Sequence, residues 1–370
     1  MVFCCFQNIV IFSKFYNFSR KSEGIAVFLD LKDINVKKYF KNVYDIKICD
    51  DGSLWPVRFT DKLFSVYNVD EGKRIRSFCP SGVCMELVTD SSFLNLSVKT
   101  LDFARNFAYF DLYIDDVFVK TIGAEPVESL PETISFDLYH KHINGKVKGD
   151  KKKQKITIYL PHLVGVHIKA IEIEDGSVVG NCYNGCNGAE QKKFLLCLGD
   201  SITQGMTAKS PSSTYPVQLA KVLGMNMINH GVGGYIFDEK SIDEEMDINP
   251  DIITVAYGVN DWFRYNSIDQ FREMCHNFFN KLIAIYPKAK IFAITPVWCS
   301  SEGEAKAVGY ISEIRKEIEQ VVCNFNTVHV IDGLKMVPNM PEYFVDGVHP
   351  NELGFMHYSV NLLNEIVKYI

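Results

Sequence analysis

The sequence carries no excess of positive charge: 39 lysines and arginines stand against 45 aspartates and glutamates, a net charge of −6. Phosphate backbones and anionic lipid surfaces attract clustered cations, so neither nucleic acid nor a membrane surface is an expected partner. A membrane-spanning helix is not expected either, because it needs about 20 consecutive apolar residues. The nearest approach, residues 1–18, is broken by Gln7, Asn8, Ser13 and Lys14. That segment also lacks positive charge ahead of its apolar part, as a secretory leader would have, since the first basic residue is Lys14. The expectation is a cytoplasmic location, with export by an atypical signal as the alternative and residues 1–24 as a loosely attached segment or edge strand.

A disulfide framework is missing as well. The eleven cysteines are an odd number, scattered irregularly from Cys4 to Cys323, which suits a reducing compartment. Cys182 and Cys186 lie four apart, but no second ligand pair of matching spacing accompanies them, so no metal site is expected.

What remains is an ordinary globular composition, 47% apolar and 23% charged, on a chain of 370 residues. That length accommodates two domains of roughly 150 to 200 residues. From about residue 25 to 180 the apolar pattern has period two. Leu94, Leu96 and Val98 alternate with Asn95, Ser97 and Lys99; Phe110, Leu112 and Ile114 alternate with Asp111, Tyr113 and Asp115; Ile156, Ile158 and Leu160 continue the pattern. Short half-buried strands without a long helical period predict an antiparallel β-sandwich or jelly roll. The lysine-rich run 146–155 reads as a solvated hairpin loop.

The Gly/Asn-rich stretch 180–188 reads as a linker, and a second domain is expected over 190–370. Here apolar runs at 194–198, 225–228, 252–256, 291–294 and 328–331 alternate with helical patterns at 215–223, 268–286, 306–323 and 353–369. This βα alternation predicts a parallel sheet covered on both faces, with its ligand site at the carboxyl ends of the strands.

Four segments at such ends carry candidate chemistry. Gly199-Asp200-Ser201-Ile202-Thr203 follows the first strand and places Ser201 on the turn into a helix. Asn229-His230-Gly231-Val232-Gly233-Gly234 follows the second, where glycines let the backbone approach a bound group and aim an N–H at it. Gly258-Val259-Asn260-Asp261 follows the third and supplies a carboxamide donor. Near the end of the sequence, Asp346-Gly347-Val348-His349-Pro350 sets a carboxylate three residues before an imidazole, so that one can orient the other and fix its tautomer. Taken singly, each block is also compatible with ordinary turn chemistry.

Together, in this order, the four blocks resemble the SGNH (GDSL-like) hydrolase family, whose name lists Ser, Gly, Asn and His. The resemblance covers about residues 194–370 and implies a flavodoxin-like doubly wound α/β sheet. It further implies a serine esterase in which Ser201, Asp346 and His349 are the catalytic triad, and the Ser201 N–H, the Gly234 N–H and the Asn260 side chain form the oxyanion hole. No metal or organic cofactor is implied. The upstream half is similar to the β-sandwich that precedes some SGNH esterases and carries a Gly-x-Asp-Leu-Tyr motif, here Ser135-Phe136-Asp137-Leu138-Tyr139 with serine in place of glycine.

The implied substrate is a small-molecule or saccharide ester, acetyl above all. The alternatives are a lipase or thioesterase taking longer acyl chains, or a carbohydrate-binding protein without catalysis. Tyr235, Phe237, Trp262, Phe263 and Trp298 follow the catalytic blocks and either line the substrate pocket or belong to the core. The first domain is expected to pack beside the mouth of the site.

Overall fold

Strands with one apolar and one polar face must bury the apolar one, and here two antiparallel sheets do so against each other. The computed structural model describes residues 26–138, 152–181 and 193–370. The amino-terminal segment, Tyr139, most of the lysine-rich run, and Cys182 and Cys186 lie outside the described residues. The first sheet runs in the order Asp45–Ile48, Leu54–Val57, Val164–Glu174, Phe93–Phe103, Thr133–Asp137, with Ala26–Phe28 also paired to Val164–Glu174. The second runs Val179–Gly180, Cys84–Thr89, Gln154–Tyr159, Ala108–Ile114, Val117–Ala124, with Phe40–Lys41 paired to Cys84–Thr89. Leu94, Leu96 and Phe136 of the first meet Leu112, Ile114 and Ile158 of the second in one fully buried core.

The strict alternation fails at Asp111, whose position predicts an outward face but which is fully buried. The outer face of its strand is covered by the other half of the chain. The Asp111 carboxylate accepts hydrogen bonds from Ser210 Oγ (2.6 Å), Ser212 N–H (2.8 Å), Ser212 Oγ (2.7 Å) and Thr121 Oγ1 (2.6 Å), so the buried charge is satisfied across the junction. Besides a single helical turn at Ile34–Lys37, two helices outside the period-two expectation lie between the strands: α1 (Asp61–Tyr67) and α2 (Glu71–Phe78). Thr60 and Asp70 cap them by accepting the N–H groups of Leu63 and Lys73.

The second half forms a five-stranded parallel sheet from β1 (Phe194–Gly199), β2 (Asn226–Gly231), β3 (Ile252–Ala256), β4 (Lys290–Ile294) and β5 (Val328–Ile331), in the order 2-1-3-4-5. Its helices are α3 (Ser201–Gln204), α4 (Tyr215–Leu223), α5 (Val259–Arg264), α6 (Ile268–Ile285), α7 (Ile311–Val322) and α8 (Glu352–Ile366). Alternate side chains of β1 serve opposite faces: Leu196 and Leu198 pack with α6 and α7 through Phe278 and Ile314, whereas Leu195 and Cys197 pack with α4 and α8 through Val217 and Phe355. A sheet buried on both sides explains why its strands read as unbroken apolar runs.

The first of these faces includes a contribution from the N-terminal half. Phe59, Leu63 and Tyr67, all at 1% exposure or less, lie in the same core as Leu196, Val232, Tyr235 and Trp262. Residues 58–79 therefore reach across and help to build the second half. No helix among the described residues is long and apolar enough to cross a membrane.

Candidate active site

Strand β1 ends at Gly199, Asp200 caps α3 by accepting the Ile202 N–H (3.0 Å), and Ser201 becomes the first helical residue, with 9% of its surface exposed. Its Oγ lies 2.8 Å from His349 Nε2. His349 Nδ1 in turn lies 2.8 Å and 3.0 Å from the two carboxylate oxygens of Asp346. Asp346 also accepts the backbone N–H groups of His349 (2.9 Å) and Val348 (3.2 Å), closing a tight turn. Gly347 makes that turn possible at φ +78°, and a Cβ there would meet Ser300 Oγ at 2.3 Å. The hydrogen bond with His349 is the main cause that holds the Asp346 carboxyl well below the usual carboxylate range. An ionised Asp346 fixes the proton on Nδ1 and leaves Nε2 to accept one from Ser201.

The other two blocks converge on the same place. Gly234, at φ +78°, lies within a turn in which Tyr235 N–H bonds Val232 O (3.0 Å) and Gly233 N–H bonds Gln204 Oε1 (2.9 Å). Among the described residues neither the Gly234 N–H nor the Ser201 N–H has an acceptor. Asn260, in the first turn of α5, donates from Nδ2 to Asp200 Oδ2 (3.2 Å) and to Tyr235 O (3.1 Å). Both bonds are long, and they tether the carboxamide to the nucleophile turn and to the glycine turn together. The three blocks thus bring two unengaged backbone donors, and a carboxamide whose two N–H groups are both in use, to one place beside Ser201.

Several supports of this arrangement have no role in the sequence reading. Asp261, fully buried, accepts Phe237 N–H (2.9 Å) and Gly258 N–H (2.9 Å) and so locks the glycine loop to the start of α5. Asn229 bridges the first two blocks, donating to Thr203 O (2.7 Å) and accepting Gly231 N–H (2.7 Å). Gln204 links Gly233 to the N-terminal half through a bond from Nε2 to Arg76 O (3.0 Å). Arg58, fully buried, donates to the carbonyls of Asn229, Gly231 (3.1 Å), Cys79 (2.7 Å) and Arg76 (3.0 Å). Burial lowers its guanidinium to about 10. His230, also buried, packs its ring on Phe59 and bonds the Arg58 carbonyl through Nε2 (2.9 Å).

Burial raises two carboxyls here, Asp200 to about 6 and Asp261 to about 7. A folded value near 7 against an ordinary 3.8 means that the folded protein binds a proton at Asp261 that the unfolded chain does not, between roughly pH 4 and 7. Stability from this group is present in full below the unfolded value and is lost as pH rises through the folded one. Thermal melts of the wild type and Asp261→Asn across that window should therefore show the wild type gaining on the variant as pH falls. A difference independent of pH would contradict the assignment.

The aromatic candidates divide. Tyr235 and Trp262 do not line a pocket: Tyr235 is 4% exposed, edge-on to Tyr67 at 4.9 Å, and Trp262 is 1% exposed with Nε1–H bonded to Gly309 O (2.8 Å). Phe237 is likewise buried, among Tyr257, Phe271, Phe278 and Phe279. Each ring is covered: Tyr235 by Tyr67 of α1, Phe237 by the phenylalanines of α6, and Trp262 by Lys306 and Gly309. Trp298 is partly exposed against Phe344 (5.1 Å), and Phe263 is exposed on α5.

Residues 197–356 match the model of the GDSL-like Lipase/Acylhydrolase family. No curated protein matches the sequence. Among solved structures, a salicylyl-acyltransferase, SsfX3, from a tetracycline biosynthetic pathway aligns with a TM-score of 0.75 and 17% identity, over 94% of this chain and 98% of that one. A family two carbohydrate esterase from Clostridium thermocellum, in complex with cellohexaose, aligns at 0.57 and 14% identity, over 78% and 93%. An acetyl xylan esterase, Est2A, from the rumen bacterium Butyrivibrio proteoclasticus aligns at 0.54 and 17% identity, over 79% and 91%. At such identities the likeness is one of fold, an SGNH hydrolase fold joined to an N-terminal antiparallel β-rich region.

Proposed function

From the premise that residues 197–356 are a GDSL-like lipase/acylhydrolase domain, we propose that this chain is a serine esterase acting through an acyl-enzyme on small O-acyl esters, acetyl esters of carbohydrates being the leading class. The observation that carries the reading is the continuous relay from Ser201 Oγ through His349 to Asp346, with 2.8 Å at each link. In the first step Ser201 Oγ attacks the ester carbonyl carbon while its proton passes to His349 Nε2. The carbonyl oxygen becomes an oxyanion held by the Ser201 N–H, the Gly234 N–H and Asn260 Nδ2, which releases one of its two present hydrogen bonds to do so. Collapse breaks the bond to the alcohol oxygen, which leaves with the proton from His349. Water then attacks the acyl-enzyme, giving its proton to His349, and the acid departs as Ser201 Oγ takes that proton back.

The burial of Tyr235, Phe237 and Trp262 supports a small acyl group, because these rings are not available as the apolar wall of a long-chain groove. The carbohydrate preference rests on the named substrates of two proteins of the same fold. We read residues 25–180 as a β-sandwich unit and 190–370 as the catalytic unit, its 2-1-3-4-5 sheet being of the flavodoxin-like kind.

A chain-length series of nitrophenyl esters, together with acetylated sugars, tests the substrate class. The highest kcat/KM is expected for acetyl, and a preference for octanoyl would replace this reading with a lipase or thioesterase. Failure of an organophosphonate to label Ser201, with no turnover of any ester, would leave a binding protein. Asn260→Ala should lower kcat about a hundredfold or more, the scale of one oxyanion donor. An effect confined to KM would make Asn260 a binding residue only.

A further inference from the structure

Two arginines beside the oxyanion loop, Arg76 and Arg264, lack carboxylate partners within ion-pair distance, and the loop itself marks where they converge. Among the described residues Arg74, Arg272 and Arg315 each pair with an acid, whereas Arg76, Arg105 and Arg264 have none within ion-pair distance. Arg76 lies along Gly233: its Cδ and Nε are 2.9 Å and 3.0 Å from the point where a Cβ on Gly233 would stand. Its Nε is buried and has no hydrogen-bond acceptor. Arg76 Nη1 and Arg264 Nη2 each lie 3.9 Å from the corresponding point on Gly234, so guanidinium groups from the two halves of the chain flank one glycine. Arg105 adds a third charge, which together with the larger effect of burial lowers the Arg76 guanidinium. Asp70 also stands near Arg76, its Oδ1 and Arg76 Nη1 lying 3.2 Å and 2.8 Å from the point where a Cβ on Gly72 would stand, but it makes no ion pair with either arginine and its oxygens bond Lys73, at 2.9 Å from the backbone N–H and 3.6 Å from Nζ.

Like charges gathered around a partly buried, unsatisfied donor cost free energy in the empty site and return it when an anion binds. We propose that Arg76 and Arg264 form an anion subsite at the oxyanion loop, so that the ester this enzyme turns over carries an anionic substituent, such as a carboxylate, close to its scissile carbonyl. The inference rests on the esterase reading above, with Gly234 as an oxyanion donor. It deepens that reading by naming the charge of the substrate.

Two matched pairs test it. On the acyl side, 4-nitrophenyl hemisuccinate is compared with neutral 4-nitrophenyl succinamate; on the alcohol side, 4-acetoxybenzoate with neutral 4-acetoxybenzamide. The readout is the ratio of kcat/KM, anionic over neutral. In the full-length wild type at least one ratio should be about tenfold or more, the scale of a charge-assisted hydrogen bond, and should fall as salt is added. Arg76→Gln and Arg264→Gln should each reduce that ratio severalfold. Arg264 is exposed on α5, so its variant keeps the test decisive even if Arg76→Gln fails to fold.

Ratios of one or less in both wild-type pairs would overturn the proposal. So would ratios that neither variant moves, since a fall shared equally by anionic and neutral esters would mean that the arginines act on the oxyanion itself. In each of these cases neutral-ester hydrolysis that Ser201→Ala abolishes would leave the esterase reading standing. Absence of hydrolysis on all four esters would remove both.

Discussion

Ser201→Ala should remove nearly all turnover, at least about a thousandfold in kcat, from a protein that melts close to the wild-type temperature. The activity loss follows because, among the described residues, the hydroxyl bonded to His349 Nε2 is that of Ser201. Thr203 Oγ1 is fully buried and engaged with Tyr215 OH at 2.8 Å. The Cys197 thiol is buried in the core and pushed by that burial to about 12, so it is not available as a thiolate near neutral pH. Retention of the fold follows from what Ser201 Oγ does, because among the described residues it bonds His349 alone, and the cap of α3 is made by Asp200. Such a substitution changes stability by about 1 kcal/mol or less. The small residual rate expected is the contribution of the oxyanion donors acting on water. Hydrolysis at a wild-type rate by this variant, with mass spectrometry showing label elsewhere than residue 201, would end the proposed mechanism.

The parts of this molecule that were legible in the sequence are those governed by short-range rules. The five parallel strands stand out because burial on both faces turns each into an apolar run, and α4 begins and ends at the expected residues, stopped by Gly224 in the left-handed conformation. The helix expected from residue 306 begins instead at Ile311, since Ala305–Lys306 and Gly309–Tyr310 pair as a small hairpin and Glu313 accepts the Tyr310 N–H (2.7 Å) to cap the helix. Ser201, Gly234, Asn260 and the Asp346/His349 pair were legible because strand ends and turns impose recognisable residues at each block. The supports were not. Arg58 bonds carbonyls 171 and 173 residues away, and an arginine between a strand and a helix carries no local sign of that. Asp261 adjoins Asn260 in the same block, yet only the placement of Phe237 N–H and Gly258 N–H shows that it is an anchor. Helices α1 and α2 are seven and eight residues long, too short for a 3.6-residue period to stand out against the surrounding strands.

Those two helices decide the outcome of cutting the chain at its apparent linker. A fragment of residues 188–370 contains all four candidate blocks, and two independent domains would leave it folded and active on small esters. The structure predicts the opposite, a fragment that is largely unfolded or aggregated and inactive even toward nitrophenyl acetate. Removing residues 1–187 strips Phe59, Leu63 and Tyr67 from a core they share with Val232, Tyr235 and Trp262. Each such loss is of the kind that costs about 2 to 5 kcal/mol, against a total stability of about 5 to 15 kcal/mol for a typical domain. The same cut removes Arg58, whose guanidinium satisfies the carbonyls of Asn229 and Gly231 at the end of β2, and it removes the Arg76 carbonyl that holds Gln204 beneath Gly233. The glycine turn that presents the Gly234 N–H would thus lose its support from below. Arg58→Met in the full chain separates the two contributions: it keeps the aromatic core but leaves two carbonyls at the strand end without a donor. Melting should fall by several degrees or more, with kcat reduced on neutral and anionic esters alike. Circular dichroism, melting and nitrophenyl acetate turnover of both proteins provide the check. A 188–370 fragment that melts cooperatively and retains wild-type kcat would show that residues 58–79 merely lie against a catalytic half that is complete without them.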